Sequence, residues 1–346
     1  MQTAMTELFG IRYPLMLPGM SWISTPELVA AVSNAGGLGI LASGPLNPEQ
    51  TRQAIARIRE LTDKPFGIGV TLLMPGAEDN AKVALAEKVP VINFSLGKGD
   101  WIVKQAHAYG GKVIATVVSV KHALSAQKIG ADALLVTGHE AAAHGGDVTS
   151  LVLIPAISRA VSIPVIATGG FGNGEGLLAA LALGASGIAM GSRFATSSDS
   201  PLHEKTKQSI VAKNESETIY SKNFDGIHAR VMKTPAAIKA TKRPMNLILA
   251  GFKSLKMARV MDLPLWKIMA GVLTQPDKIR MLSQFGAATE KIQAATVNGD
   301  LNKGVQFVGQ TQGLIHDIVS VETIVQRTMS EALARYETLG TICKSE

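Results

Sequence analysis

Glycine recurs along this chain where helical patterns end. Helical patterns close at Gly36-Gly37, Gly110-Gly111, Gly130-Ala131 and Gly184-Ala185, and each closure runs straight into a short apolar stretch. A left-handed glycine ends a helix by satisfying its last carbonyls, and the chain can then re-enter a sheet. Eight apolar runs begin near Tyr13, Gly37, Phe66, Val89, Lys112, Ala131, Ile163 and Gly187, at spacings of roughly 20–30 residues. Most are apolar throughout rather than alternating, as strands covered on both faces require. The intervening helical patterns carry start signals, Thr25 before Pro26 and Asn47 before Pro48-Glu49. Eight strand-then-helix units predict a (β/α)8 TIM barrel of the α/β class. The competing open doubly wound sheet lacks a G-x-G-x-x-G after the first strand. The nearest match, Gly169-Gly170-Phe171-Gly172-Asn173-Gly174, follows the seventh.

The alternation stops near residue 210. Residues 211–300 read as helical, broken at Pro235, Pro244, Pro264 and Pro276. Three parts are expected: a barrel over 1–210, a smaller, mainly helical cap over 211–304, and a segment over 305–346 that returns to the barrel. Within that segment Val321 to Leu339 predicts a long amphipathic helix. The cap is basic and rich in methionine. Between Ser221 and Met281 stand 12 Lys/Arg against 3 Asp/Glu, which leaves the remainder of the chain at 22 against 24. A solvated helical face explains this, and so does a patch that attracts a dinucleotide, a CoA ester or an acidic carrier protein. Methionines at helical spacing read first as packing and second as a pliable lining for an acyl or alkyl group.

Composition narrows the class further. A chain that is 46% hydrophobic and 18% charged is globular rather than disordered. One cysteine, Cys343, builds neither a disulfide framework nor a cysteine metal site. The start of the chain lacks the basic-then-apolar pattern of a signal peptide, and no apolar run reaches the ~18 residues of a membrane span. A cytoplasmic protein is expected. With 5% aromatic residues and no binding motif, nucleic acid is not an expected partner. A small-molecule substrate is, and a homodimer is a candidate assembly.

The chemistry should lie at the carboxyl ends of the strands. There the sixth run ends in Gly138-His139-Glu140-Ala141-Ala142-Ala143-His144, the seventh in Gly169-Gly170 and the eighth in Gly191-Ser192. Glycine turns after strands seven and eight are the usual phosphate site of a barrel, here through the N–H groups of Gly169, Gly170, Gly191 and Ser192. The helix starting near Asn173-Gly174-Glu175 is expected to aim its N-terminus at the same anion. Thr71, Thr116 and Thr137, with Pro18-Gly19-Met20 after the first strand, ring the same end with small and hydroxyl groups suited to a flat polar cofactor. His144 is a candidate acid or base near pH 7, and His139 competes with it. Two histidines five apart with no third ligand do not make a metal site, and no G-x-S-x-G elbow supports a serine hydrolase.

Several of these stretches, in this order, resemble the nitronate monooxygenase (2-nitropropane dioxygenase) family of FMN-dependent barrels. That family includes flavin-dependent enoyl-ACP reductases and certain NADH:quinone reductases. The resemblance runs from about Tyr13 to Ile318. It rests on Pro14-Leu15-Met16 with Gly19-Met20, the loop from Gly138 to His144, and Ile166-Ala167-Thr168-Gly169-Gly170-Phe171. It continues in Ala182-Leu183-Gly184-Ala185, Met190-Gly191-Ser192-Arg193-Phe194 and Gly309-Gln310-Thr311-Gln312-Gly313-Leu314-Ile315. It implies FMN, with Gly169, Gly170, Gly191 and Ser192 on the phosphate and Pro18, Gly19, Met20, Thr71 and Ala142 along the ring and ribityl chain. It further implies His144 as the proton-transfer residue and Gly309 and Gln310 near the substrate. Departures are Ala143 where relatives often have glycine, Thr116 where some have lysine, Thr137 where several have an acid, and Ser192 for threonine.

The activity implied first is oxidation of alkyl nitronates by O2 to a carbonyl compound and nitrite. The alternative is NAD(P)H-dependent reduction of an enoyl-ACP, an enoyl-CoA or a quinone. A non-catalytic flavin-binding module is the third reading, and the presence of His144 argues against it.

Overall fold

A computed structural model describes residues 1–142, 144–242 and 288–343. Eight parallel strands close into a barrel in sequence order: β1 (Leu15–Leu17), β2 (Leu38–Ala42), β3 (Phe66–Thr71), β4 (Val91–Ser95), β5 (Lys112–Val117), β6 (Ala133–Thr137), β7 (Val165–Thr168) and β8 (Gly187–Ala189). β8 pairs with β1, Leu15 opposite Ile188, which seals the ring. The observed starts fall within two residues of the expected ones.

Helices α2 (Pro26–Asn34), α3 (Pro48–Leu61), α4 (Ala77–Ala86), α5 (Asp100–His107), α6 (Val120–Lys128), α7 (Ser150–Ala160) and α8 (Gly174–Ala182) follow strands one to seven. Asn47 caps α3 in a reciprocal box with Gln50. Its Ile55 and Ile58 are fully buried, each contributing about 1.5–3 kcal/mol over exposure. Gly36, Gly110, Gly130 and Gly184 all have positive φ, as helix-ending glycines should.

A short helix that the sequence did not announce, α1 (Ala4–Phe9), closes the amino-terminal end of the barrel. Its Met5 and Phe9 join Met16, Leu38, Ile40, Val91, Ile114, Leu135 and Ile166 in one buried cluster. A Cβ at Gly187 would sit 2.4 Å from the Met5 sulfur, so glycine there makes room for the plug.

The eighth outer helix does not follow β8 directly. After β8 come α9 (Gly191–Ala195), α10 (Glu204–Val211), a hairpin of β9 (Thr218–Ser221) and β10 (Ala229–Met232), and α11 (Pro235–Lys242). Only then does α12 (Val321–Ile342) return, packing against both α8 and α2. That is the place of the eighth barrel helix, so everything between α9 and α12 is inserted into the last unit. Its buried stripe, Val321, Ile324, Val325, Thr328, Met329 and Ala332, has helical spacing. A Cβ at Gly174 would lie 2.4 Å from the Ala332 nitrogen, which shows how closely α8 and α12 approach.

The hairpin corrects the expectation that residues 211–300 are helical. β9 and β10 pair antiparallel, Tyr220 opposite Arg230 and Ile219 opposite Val231. Ile219, Tyr220 and Val231 suit a pleated surface, and Asp225-Gly226, with Gly226 at φ +97°, turns the chain. Most of the basic, methionine-rich stretch, including Lys253, Lys256 and Arg259, lies outside the described residues. Among the described residues no helix is long and apolar enough to cross a membrane.

Candidate active site

The barrel interior changes character along its axis. Side chains alternate in and out along each strand, so inward positions stack in layers. The lower layers are apolar: Leu38, Val91, Ala133, then Met16, Ile40, Ile114, Leu135, Ile166 and Ala189. At the carboxyl ends they give way to Thr71, Asn93, Ser95, Thr116, Thr137 and Thr168, which line a cavity of about 1800 Å³. Asn93 Nδ2 donates to the Ile114 carbonyl (3.1 Å) and to Thr116 Oγ1 (3.0 Å), and Ser95 Oγ donates to Thr71 Oγ1 (3.4 Å). The floor is a hydrogen-bonded polar ring over an apolar barrel.

One wall is the β1–α2 loop. Ser24 Oγ donates to the Pro18 carbonyl (2.7 Å) and accepts from Met20 N–H (3.0 Å), which fixes the bend at Gly19. A Cβ on Gly19 would stand 3.3 Å from the Leu41 carbonyl oxygen, so glycine lets this loop pack close against β2 at the edge of the cavity.

The opposite wall is built from the turns after β7 and β8. Gly169 and Gly170 have φ of +95° and +86°, values that side chains other than glycine adopt at a cost of about 1–2 kcal/mol. Ser150 Oγ donates to the Gly169 carbonyl (2.6 Å). Its N–H also holds the Glu140 carboxylate (3.0 Å), so Glu140 braces the turn. Gly191 and Ser192 open α9, whose first turn no side chain caps. Ser192 Oγ accepts from Gly309 N–H (3.0 Å), leaving its own proton free to donate.

Eleven of the expected cofactor positions border this cavity: Pro18, Gly19, Met20, Thr71, Thr116, Thr137, Ala142, Gly169, Gly170, Gly191 and Ser192. His144 borders it too. Gln310 does not. Its N–H donates to the Glu140 carbonyl (2.9 Å), and its neighbours Gly309 and Thr311 form the wall instead. The α8 expectation is also corrected. Gly174 N–H donates to Glu331 Oε2 (2.9 Å) and Gly176 N–H to Asn173 Oδ1 (2.9 Å), so that helix N-terminus is already occupied. Glu331 comes from α12, remote in sequence, and no local pattern could have announced it.

The two histidines separate cleanly. His139 Nδ1 bonds the Gly146 carbonyl (3.0 Å), and its ring meets Tyr220 edge-on at 4.5 Å. Arg230 on β10 donates to the His139 carbonyl (3.0 and 3.3 Å) and to Thr218 Oγ1 (3.0 Å), with its guanidinium over Tyr220. Burial lowers the Arg230 pKa from its ordinary value, while Glu140 acts against that. His139 therefore belongs to the scaffold that ties the hairpin to the β6 loop. His144 faces the cavity, its ring edge-on to Phe307 at 6.3 Å. Its Nε2 lies 2.7 Å from Asp225 Oδ2, a carboxylate 1% exposed on the β9–β10 turn. Sequence reading missed Asp225, although Asp225-Gly226 is a hairpin signal.

The comparisons agree with this architecture. A "(3aS,4S,5R,7aS)-5-hydroxy-7a-methyl-1-oxo-octahydro-1H-indene-4-carboxyl-CoA dehydrogenase" of Rhodococcus jostii is 33% identical over 349 residues, covering 99% of each chain. A solved structure of FabK from Thermotoga maritima is 36% identical, covers 99% of each chain and superposes with a TM-score of 0.84. A probable nitronate monooxygenase of Staphylococcus aureus is 32% identical over 272 residues, 65% of this chain and 77% of the relative. The nitronate monooxygenase family matches residues 2–90 and 75–331. With its closed barrel, glycine-turned walls and cavity-facing histidine, this chain belongs to the nitronate monooxygenase family of oxidoreductases.

Proposed function

We propose that this protein is an FMN-dependent oxidoreductase of acyl thioesters, acting at the carbon–carbon bond beside the thioester carbonyl, with NAD(P)H as the candidate source of electrons. The observation that carries the substrate class is the size of the cavity. At about 1800 Å³ it exceeds the ~300–1,000 Å³ of a pocket for one drug-sized ligand. A flavin and an extended second molecule both have room, whereas a small nitronate would leave most of that volume unfilled. One relative matched over almost its whole length supports the same reading, being named for a carboxyl-CoA substrate.

The residues present fit FMN. Gly19, Gly170 and Gly191 leave bare backbone along the cavity, and Gly169 and Gly170 hold positive φ there. Gly169, Gly170, Gly191 and Ser192 offer N–H groups, and Ser192 a hydroxyl, to a phosphate. Thr71, Thr116 and Thr137 offer hydroxyl groups to a polar ring edge, and Met20 and Ala142 an apolar flank. When bound, FMN supplies hydride chemistry. His144 supplies or removes the proton at the carbon next to the carbonyl, a task for which a neutral-pH imidazole is suited. Gly309, Thr311 and Phe307 form the side on which the thioester enters.

Oxidation of nitronates is the second reading, favoured by the family match. A nitronate is already an anion and asks for placement rather than a base. The test is anaerobic. Protein carrying flavin should bleach on addition of NADH or NADPH and recover its colour on addition of an enoyl-CoA. Flavin that recovers only in air, with nitrite released from an alkyl nitronate, overturns the thioester reading.

A further inference from the structure

We infer that Asp225 is a positioning residue that selects the working nitrogen of His144, and that the β9–β10 hairpin delivers it into the site. The inference rests on the reading of His144 as the proton carrier. It starts from a carboxylate with both oxygens committed. Asp225 Oδ1 accepts from Ile227 N–H (3.1 Å), and Oδ2 lies 2.7 Å from His144 Nε2. Asp225 is 1% exposed, so its oxygens have these two partners rather than solvent, and a carboxylate can only accept. Nε2 must therefore carry a proton, and it keeps that proton through the cycle.

The other ring nitrogen is left for chemistry. Among the described residues no group bonds His144 Nδ1, while the imidazole is 24% exposed toward the cavity it lines. A neutral His144 offers a lone pair at Nδ1, and a protonated one offers an N–H there. In the reductive direction the Nδ1–H bond breaks as a C–H bond forms beside the thioester carbonyl. The imidazolium becomes neutral, and its Nε2–H stays with Asp225. In the oxidative direction the same proton returns to Nδ1, and the imidazolium that forms faces a buried carboxylate. Ring rotation is checked on one edge by Phe307.

The hairpin's role follows from its anchors. Arg230 holds β10 to the His139 carbonyl, Arg230 N–H donates to the Ala142 carbonyl (3.2 Å), and Tyr220 Oη donates to the Gly145 carbonyl (2.9 Å). These bonds grip the β6 loop on both sides of His144. Asp225, 81 residues away in sequence, is thereby held in fixed register with it.

Two experiments test this. In wild-type protein, nitrogen NMR of His144 should show Nε2 bearing the proton and Nδ1 with a free lone pair in the neutral form. The reverse assignment overturns the inference without any variant. In D225N the amide can turn its NH2 toward Nε2 and favour the tautomer protonated at Nδ1. Reoxidation by enoyl-CoA should then slow about 100- to 10,000-fold, with a raised solvent isotope effect. Flavin reduction by NAD(P)H should stay within about threefold, D225E should recover part of the loss, and H144A/D225N should be no slower than H144A. A folded, flavin-bearing D225N that reoxidises at the wild-type rate overturns the inference. If H144A itself reoxidises normally, the proton-carrier reading fails, and the tautomer measurement still judges Asp225.

Discussion

The two ends of this barrel are built by opposite rules. At the amino-terminal end the strands start on Leu38, Val91 and Ala133, and α1 drives Met5 and Phe9 into the opening. Each surface there is matched to another apolar surface, so its whole return is stability. At the carboxyl-terminal end the inward positions switch to Thr71, Asn93, Thr116, Thr137 and Thr168, and the walls are glycine. Those groups form a cavity rather than a packed layer and give up burial that larger side chains would have supplied. The lesson is that one ring of strands divides the labour by height, with packing below supporting an underpacked, polar site above.

Three substitutions can break or sharpen that contrast. The largest effect is expected from F9A at the closed end. Phe9 is 5% exposed, and truncating a buried phenylalanine costs about 3–5 kcal/mol. Denaturant unfolding should show that loss, while flavin affinity of the folded protein stays near wild type. A fall in affinity without a fall in stability would erase the division. The middle effect is G170A. Forcing alanine to φ +86° costs about 1–2 kcal/mol and disturbs the N–H groups offered to phosphate. The preference for FMN over riboflavin, read by flavin fluorescence, should shrink. An unchanged preference would remove Gly170 from the phosphate site. The smallest is T137V, in which a hydroxyl bordering the cavity becomes a methyl. Unfolding free energy of the flavin-free protein should move by less than about 0.5 kcal/mol. Flavin binding should weaken by roughly 0.5–1.5 kcal/mol, one hydrogen bond's worth. A stability loss larger than the binding loss would show Thr137 to be packing, like the layers beneath it.

The closed barrel was legible because its signals are local. A strand buried on both faces is an apolar run, a helix end is a glycine, and eight repeats leave little choice of topology. The cavity-facing residues were legible for a related reason: strand ends put them there whatever the rest of the chain does. What escaped depended on contacts distant in sequence. The Asn173–Glu175 turn looks like an open anion site until Glu331 arrives from α12. His139 and His144 share one loop and small neighbours, and only Tyr220, Arg230 and Asp225 from the hairpin tell them apart. The hairpin itself was hidden by helix-forming residues around a short β pattern, with Asp225-Gly226 as the cue that could have found it. Gln310 was drawn into the site by its place in a motif, although its backbone is committed to Glu140.

The position of α12 has a consequence for how the molecule is made. The gap between α8 and α2 is filled by the last long segment of the chain, Val321–Ile342. During synthesis the eight strands and the whole insertion leave the ribosome before the ring of helices can be completed. Chains emerge at roughly 5–20 residues per second, so the flank of the barrel beside Gly174 stays uncovered for several seconds. In that interval the seam between α8 and α2 lacks the apolar stripe of Val321, Ile324, Val325 and Met329 that covers it in the finished barrel.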